Sequence, residues 1–111
     1  MFVKKIFVGL LAALSLNSFA GSQEGTVGYL RVRASDGVIY FNLIGAPKIN
    51  SPACATIPYW IIHDENSNIG KLQYSMVLAA KSSGKKLSIT GMNTCQRWKD
   101  GEDVNEIALI D

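Results

Sequence analysis

The sequence predicts a small, mainly β domain with a single helix, its elements in the order β-β-β-α-β-β. Three observations carry that expectation. Short runs in which apolar and polar residues alternate recur along the chain, as strands buried on one face require. Only residues 69–83 repeat their apolar positions at helical spacing. Clusters of Gly, Pro, Asn, Asp and Ser separate these runs, as turns and loops do.

In the first strand, residues 26–34, Leu30, Val32 and Ala34 are expected to point inward, with Tyr29, Arg31 and Arg33 outward. Ser35, Asp36 and Gly37 form a tight turn, with glycine where a short hairpin needs positive φ. Residues 38–44 return as a second strand with Ile39, Phe41 and Leu43 inward and Tyr40 and Asn42 outward. Residues 45–52 hold two prolines and no periodicity and read as a loop leading to Cys54. A third strand spans 57–63, its start at a sheet edge because Pro58 cannot donate to a ladder. In the helix, 69–83, Leu72, Met76, Ala79, Ala80 and Ser83 share a side, and Gly84 stands where a left-handed C-cap belongs. Residues 86–90, with Leu87 and Ile89 buried, make the fourth strand. A polar excursion over 91–103 carries Cys95 and Trp98, and 104–110 closes the domain as the fifth strand.

The amino terminus sets the compartment. Lys4 and Lys5 precede an apolar run from Ile6 to Leu16, and Ser18 and Ala20 supply the small residues that a signal peptidase reads. Residues 1–20 are therefore expected to be a cleaved signal peptide, and residues 21–111 a single exported domain, periplasmic or secreted. No other apolar stretch has the length of a membrane span. The full chain has 11 basic and 9 acidic residues, and loss of Lys4 and Lys5 leaves it formally neutral. That argues against nucleic acid or an anionic membrane as partner. In an exported chain the 2 cysteines, Cys54 and Cys95, are expected to form a disulfide. The chain-entropy model gives such a bridge about 4 kcal/mol.

The succession of elements fits a five-stranded Greek-key barrel of the oligonucleotide/oligosaccharide-binding type, its helix between strands three and four. The alternative is an open antiparallel sheet with one packed helix. In either, the disulfide ties the loop before strand three to the loop between strands four and five.

The pattern offers little for catalysis. The single histidine, His63, has no partner at metal-ligand spacing, so neither a metal nor another cofactor is expected. The acid pairs Asp64 with Glu65 and Glu102 with Asp103 are adjacent in sequence and read as solvated turn charges. No nucleophile elbow or phosphate cradle is present. The chemistry-bearing stretch is the loop around Trp98, where Asn93, Gln96, Arg97, Lys99 and Asp100 surround an indole. Such a loop suits a sugar, whose apolar face stacks on the ring while amides and charges bond its hydroxyls. Alternatively, Trp98 caps the barrel end or packs on the disulfide. The outward residues Tyr29, Arg31, Arg33, Tyr40 and Asn42 form a second surface, read as a solvated sheet face or a seam with another subunit.

The export signal, two strands, a cysteine before strand three, the helix end Ala79-Ala80-Lys81-Ser82-Ser83-Gly84-Lys85-Lys86-Leu87 and the segment from Gly91 to Cys95 together resemble the receptor-binding B subunits of bacterial pentameric toxins. The similarity is to the subtilase-cytotoxin and pertussis-like kind and their small secreted relatives. It implies the barrel, a homo-pentameric ring whose helix, with Leu72, Met76 and Lys81, faces a central pore, a glycan or host receptor as ligand, and an A-type toxin subunit as partner. The function expected is thus a non-enzymatic, glycan-directed binding module. Its rivals are a periplasmic protein-interaction, inhibitor or stress module, and a small secreted hydrolase.

Overall fold

The computed structural model describes residues 20–111. The expected signal peptide, apart from Ala20, lies outside the described residues. One sheet of five strands and a single helix make up the described fold: β1 (Ser22–Val32), β2 (Ile39–Gly45), β3 (Trp60–Ile61), α1 (Asn68–Ser83), β4 (Lys86–Gly91) and β5 (Glu102–Leu109). The order expected from the sequence is the order found. Hydrogen-bonded neighbours run β1-β2-β3-β5-β4, and β4 pairs back with β1, so the sheet closes on itself. Every pairing is antiparallel except β3 with β5.

β2 follows its alternation, with Ile39, Phe41 and Leu43 buried. The hairpin before it is the expected turn: Gly37 has φ 81°, and Arg33 N–H donates to the Val38 carbonyl. β1 departs from expectation. It starts earlier, at Ser22, and its buried residues are Gln23, Gly25 and Val27. Val27 pairs with Leu43 but Leu30 with Phe41, so β1 holds one residue more than its partner between these points. That bulge changes the phase of the alternation. Leu30 reaches the core, whereas Val32 is 57% exposed and Ala34 is exposed beyond the strand end. Simple alternation over 26–34 could not register the bulge.

β3 is also shorter than expected. Only Trp60 and Ile61 pair, and the exposed Pro58 stays outside the ladder because it has no N–H to give. These two residues nevertheless sit at the centre of the domain, fully buried, and Ile62 N–H adds a bond to the Ile39 carbonyl. The Trp60 indole donates to the buried Gln23 side chain at 2.9 Å, and Gln23 in turn donates to the Ala46 carbonyl at 3.0 Å.

α1 begins at the Ser67 N-cap, whose hydroxyl accepts from Gly70 N–H at 2.9 Å, and ends at Gly84, left-handed at φ 71°. The face it lays on the sheet differs from the one that apolar spacing indicated. Gly70, Val77 and Ala80 are buried and Tyr74 packs on the core, whereas Leu72 is 61% exposed and Ala79 and Ser83 are exposed. Small residues let the helix approach closely, as expected, but only Ala80 belongs to both sets. The core joins Val27, Phe41, Leu43, Trp60, Val77 and Leu87 with their neighbours around the inside of the ring.

Gly70 yields a sign test. In an ordinary helix, Gly→Ala stabilises by about 1 kcal/mol. Here a Cβ on residue 70 would fall inside the contact radius of the Asp64 carbonyl oxygen, a backbone atom. Gly70→Ala is therefore expected to destabilise by more than about 1 kcal/mol, as a lowered urea midpoint at unchanged m-value.

Candidate functional site

The loop between β4 and β5 has no regular structure and is held from outside. Cys95 is joined to Cys54, 41 residues earlier, with the Cα atoms 6.2 Å apart. This is the expected bridge, and it ties the two expected loops. Two carboxylates at the start of β5 hold the rest. Asp103 is fully buried and accepts from the Thr94 hydroxyl at 2.7 Å and from the N–H groups of Gln96 and Arg97 at 2.7 and 3.1 Å. Glu102, also fully buried, accepts from Gly21 N–H and Asn93 N–H, both at 3.0 Å, through one oxygen. Its other oxygen lies 3.3 Å from the Lys48 ammonium, which in turn sits 3.8 Å from the centre of the Trp60 ring. Burial holds the Lys48 pKa below its ordinary value, against the opposing pull of Glu102.

The reading of Glu102 and Asp103 as solvated turn charges is therefore wrong. As neighbours on a strand they do point apart, but each points into a set of donors rather than into water. Charge alone suggested exposure. A sequence signal lay in the glycines opposite: a Cβ at Gly91 or Gly21 would collide with the Glu102 carboxylate.

Arg97 fixes the outer end of the loop. Its Nε and Nη2 donate to the two oxygens of Glu65, each at 2.8 Å, and Nη2 also donates to the Asp36 carbonyl in the hairpin at 2.7 Å. This pairing, chiefly the hydrogen bonds from Arg97, holds the Glu65 carboxyl below the usual carboxylate range. Arg97 thus joins three segments. His63, half-exposed, has Nδ1 3.4 Å from Asp103.

So fastened, the loop folds back over the hairpin and brings Trp98 onto the outer face of the sheet. Trp98 is half-buried; the Arg33 guanidinium lies 4.2 Å above its ring centre. Arg33 also stands 5.8 Å from the Tyr40 ring, Arg31 stands 5.8 Å from Tyr40, and Arg31 covers Tyr29 at 4.3 Å. Tyr40 meets Tyr29 and Tyr59 edge to face, at centroid distances of 6.0 and 5.2 Å. The two surfaces that the sequence treats separately are one, a ladder of alternating rings and guanidinium groups from Trp98 to Tyr29. Tyr59, from the loop before β3, is the member that sequence reasoning missed. Its hydroxyl donates to Asp100 in the Trp98 loop.

A small recess opens where the ladder meets the loop, lined by Arg33, Val38, Tyr40, Tyr59, Ile61 and Trp98. The two arginines differ. Arg33 is paired with Asp36, at 2.6 and 3.2 Å, and that pairing first, then the Val38 N–H, lowers the Asp36 pKa. Arg31 has no carboxylate partner among the described residues.

Of the expected ligand residues, Trp98 lines this recess, and Asp100 is linked to it through the Tyr59 hydroxyl. The Arg97 side chain is occupied by Glu65, Asn93 is exposed in left-handed conformation at φ 63°, and Gln96 and Lys99 are exposed. Asn42, from the second surface, uses its side-chain oxygen to accept from Tyr29 N–H at 2.7 Å. The helix residues Leu72 and Met76 lie elsewhere, on α1, and Lys81 donates to the Gly28 carbonyl at 2.7 Å. Among the described residues, no group of three or more His, Cys, Asp or Glu side chains could hold a metal ion, and no helix is long and apolar enough to cross a membrane.

Compared with protein-family models, curated proteins and solved structures, the chain matches none.

Tyr59 carries a pH signature. Burial, then the hydrogen bond to Asp100, pushes its pKa up to about 12. Because the folded-state value is raised, the associated stability is present below the unfolded tyrosine pKa of about 10 and is lost as pH rises toward 12. Spectrophotometric titration is expected to show one tyrosine ionising late, near pH 12, and Asp100→Asn is expected to bring that step to lower pH.

Proposed function

We propose that the chain is an exported barrel of the oligonucleotide/oligosaccharide-binding type that recognises a glycan through the Trp98–Tyr29 ladder. The barrel assignment is supported by the closed order β1-β2-β3-β5-β4, the parallel contact of β3 with β5, and the helix between β3 and β4. Export is supported by the disulfide and by the leader-like sequence at residues 1–20.

The observation that carries the ligand class is the recess beside Trp98. It joins an indole and two phenol rings, suited to the apolar face of a sugar, to the Arg33 guanidinium, suited to its hydroxyls, while Asp100 holds the Tyr59 hydroxyl in place. Arg31 extends the ladder with a cation free of carboxylate partners, a contact for an anionic substituent. The disulfide and the Asp103 bonds fasten the loop beforehand, which lowers the ordering cost of binding. A face built of stacking groups supports the non-enzymatic reading. The same Tyr, Arg and Trp content also suits a protein partner, so the periplasmic interaction module stands as the second reading.

The toxin-B-subunit resemblance adds a ring. On α1 the exposed Ile69 and Leu72 and the half-buried Met76 form an apolar stripe turned away from the sheet. In the proposed pentamer these residues, with Lys81 nearby, meet their copies around the pore, and an A-type subunit sits on the assembly.

Two measurements test this reading. On a glycan array the oxidised protein is expected to bind, with a change in tryptophan fluorescence. Trp98→Ala is expected to weaken that binding about tenfold or more. Silence on the array, with capture of a periplasmic protein instead, would replace the glycan reading by the second one. Light scattering of the oxidised protein is expected to give five times the monomer mass. A monomer would remove the ring and leave the ladder untouched.

A further inference from the structure

Among the described residues, the hydrogen bonding of the fold starts at Gly21. Its N–H donates to Glu102, its carbonyl accepts from Gly91 N–H at 2.8 Å, and Ser22 next to it exchanges two bonds with Ile49 at 3.0 Å each. Gly21 is buried, and a side chain there would collide with the Glu102 carboxylate. The carboxylate is under-supplied: Oε1 has no hydrogen-bond partner, and neither has the Lys48 ammonium 3.3 Å away, although both are buried. A fully buried carboxylate that holds two backbone nitrogens with one oxygen, and whose second oxygen faces the Lys48 ammonium at 3.3 Å without a hydrogen bond, has room for a donor stronger than an amide.

The same residue follows the cleavage boundary read from Ser18 and Ala20. We propose that removal of the leader between Ala20 and Gly21 creates an α-ammonium that docks on buried Glu102 as a latch of the mature protein. This inference rests on the reading of residues 1–20 as a signal peptide. In the hydrolysis, water breaks the Ala20–Gly21 peptide bond. Its hydroxyl goes to the Ala20 carbonyl carbon, which leaves as a carboxylate with the leader, and the Gly21 nitrogen gains protons to become an ammonium. One amide donor is thereby replaced by three charged donors. These can serve both Glu102 oxygens, because Oε1 lies on the side where a Gly21 Cβ would stand.

The consequence reaches the site. Glu102 Oε2 also accepts from Asn93 N–H, at the entry to the loop that carries Trp98. The chain start, Lys48 in the loop after β2, and the Trp98 loop thus converge on one carboxylate. Processing strengthens the point at which they meet, so the mature form has a tighter loop than the unprocessed one.

The test compares two oxidised proteins freed from a removable tag, one beginning at Gly21 and the other at Ala20. The Gly21 form is expected to melt higher, by about 5 °C, and its α-amine to be acylated by acetic anhydride about tenfold more slowly. Glu102→Gln is expected to erase both differences. Equal melting and equal labelling of the two forms would overturn the latch. If Glu102→Gln does not fold, the comparison of the two unmutated forms decides alone. The mass of the protein exported from the full chain checks the premise separately: a start other than Gly21 overturns the cleavage boundary and the latch with it.

Discussion

Two adjacent carboxylates, Glu102 and Asp103, organise the end of the closed sheet on which the candidate site is built. Taking two like charges out of water at neighbouring positions is costly and persists only where donors surround each one. The strand supplies that arrangement, because consecutive side chains leave opposite faces. Glu102 turns toward Gly21, Asn93 and Lys48, whereas Asp103 turns toward Thr94, Gln96 and Arg97. A loop with no ladder of its own is thus ordered by the first two residues of the strand that follows it. Removing either carboxylate would strand several donors at once.

The geometry of the Trp98–Tyr29 ladder follows from this anchoring. With Asp103 gripping the N–H groups of residues 96 and 97, the Arg97 side chain reaches Glu65 and the hairpin carbonyl of Asp36. Trp98, one residue on, is delivered to Arg33, and Asp100 to the Tyr59 hydroxyl. The disulfide fastens the same loop through a different bond, to the segment before β3. Covalent, ionic and hydrogen-bonding ties therefore converge on some ten residues, and the ring and guanidinium planes they position belong to three separate parts of the chain.

What the sequence could disclose depended on how local the controlling interaction was. The alternation of β2, the Gly37 turn, the ends of α1 and the pairing of Cys54 with Cys95 are set within a few residues or by elimination, and the structure has them where the sequence puts them. β1 was legible as a strand but not in phase, because the extra residue between Val27 and Leu30 shows itself only against β2. The sheet-facing side of α1 was misjudged because apolar spacing cannot tell a core stripe from an exposed one: Val77 is buried while Leu72, more than a turn away, is open. Glu102 and Asp103 were misjudged because their partners come from Gly21, the loop after β2 and residues 93–97. The ladder stayed hidden for the same reason, since Trp98 and Arg33 are brought together only by the fold.

The ladder also explains how a chain with little net charge can display a locally cationic face. Arg33 is neutralised by Asp36 and Arg97 by Glu65, so both act as struts that fix ring positions. Arg31 lies over Tyr29 with no carboxylate partner among the described residues, and the negative ring face beneath it orients the guanidinium without cancelling its charge. A ligand approaching this surface meets rings held by paired arginines at the Trp98 end and an open cation at the Tyr29 end. Under the proposed glycan reading, that polarity would favour a sugar with an apolar face and an acidic group along its length, oriented in one direction along the sheet. The spacing of Arg31, Arg33 and Tyr40 along it is fixed by the pairing of β1 with β2, whereas Tyr59 and Trp98 are set by the two loops that the disulfide joins.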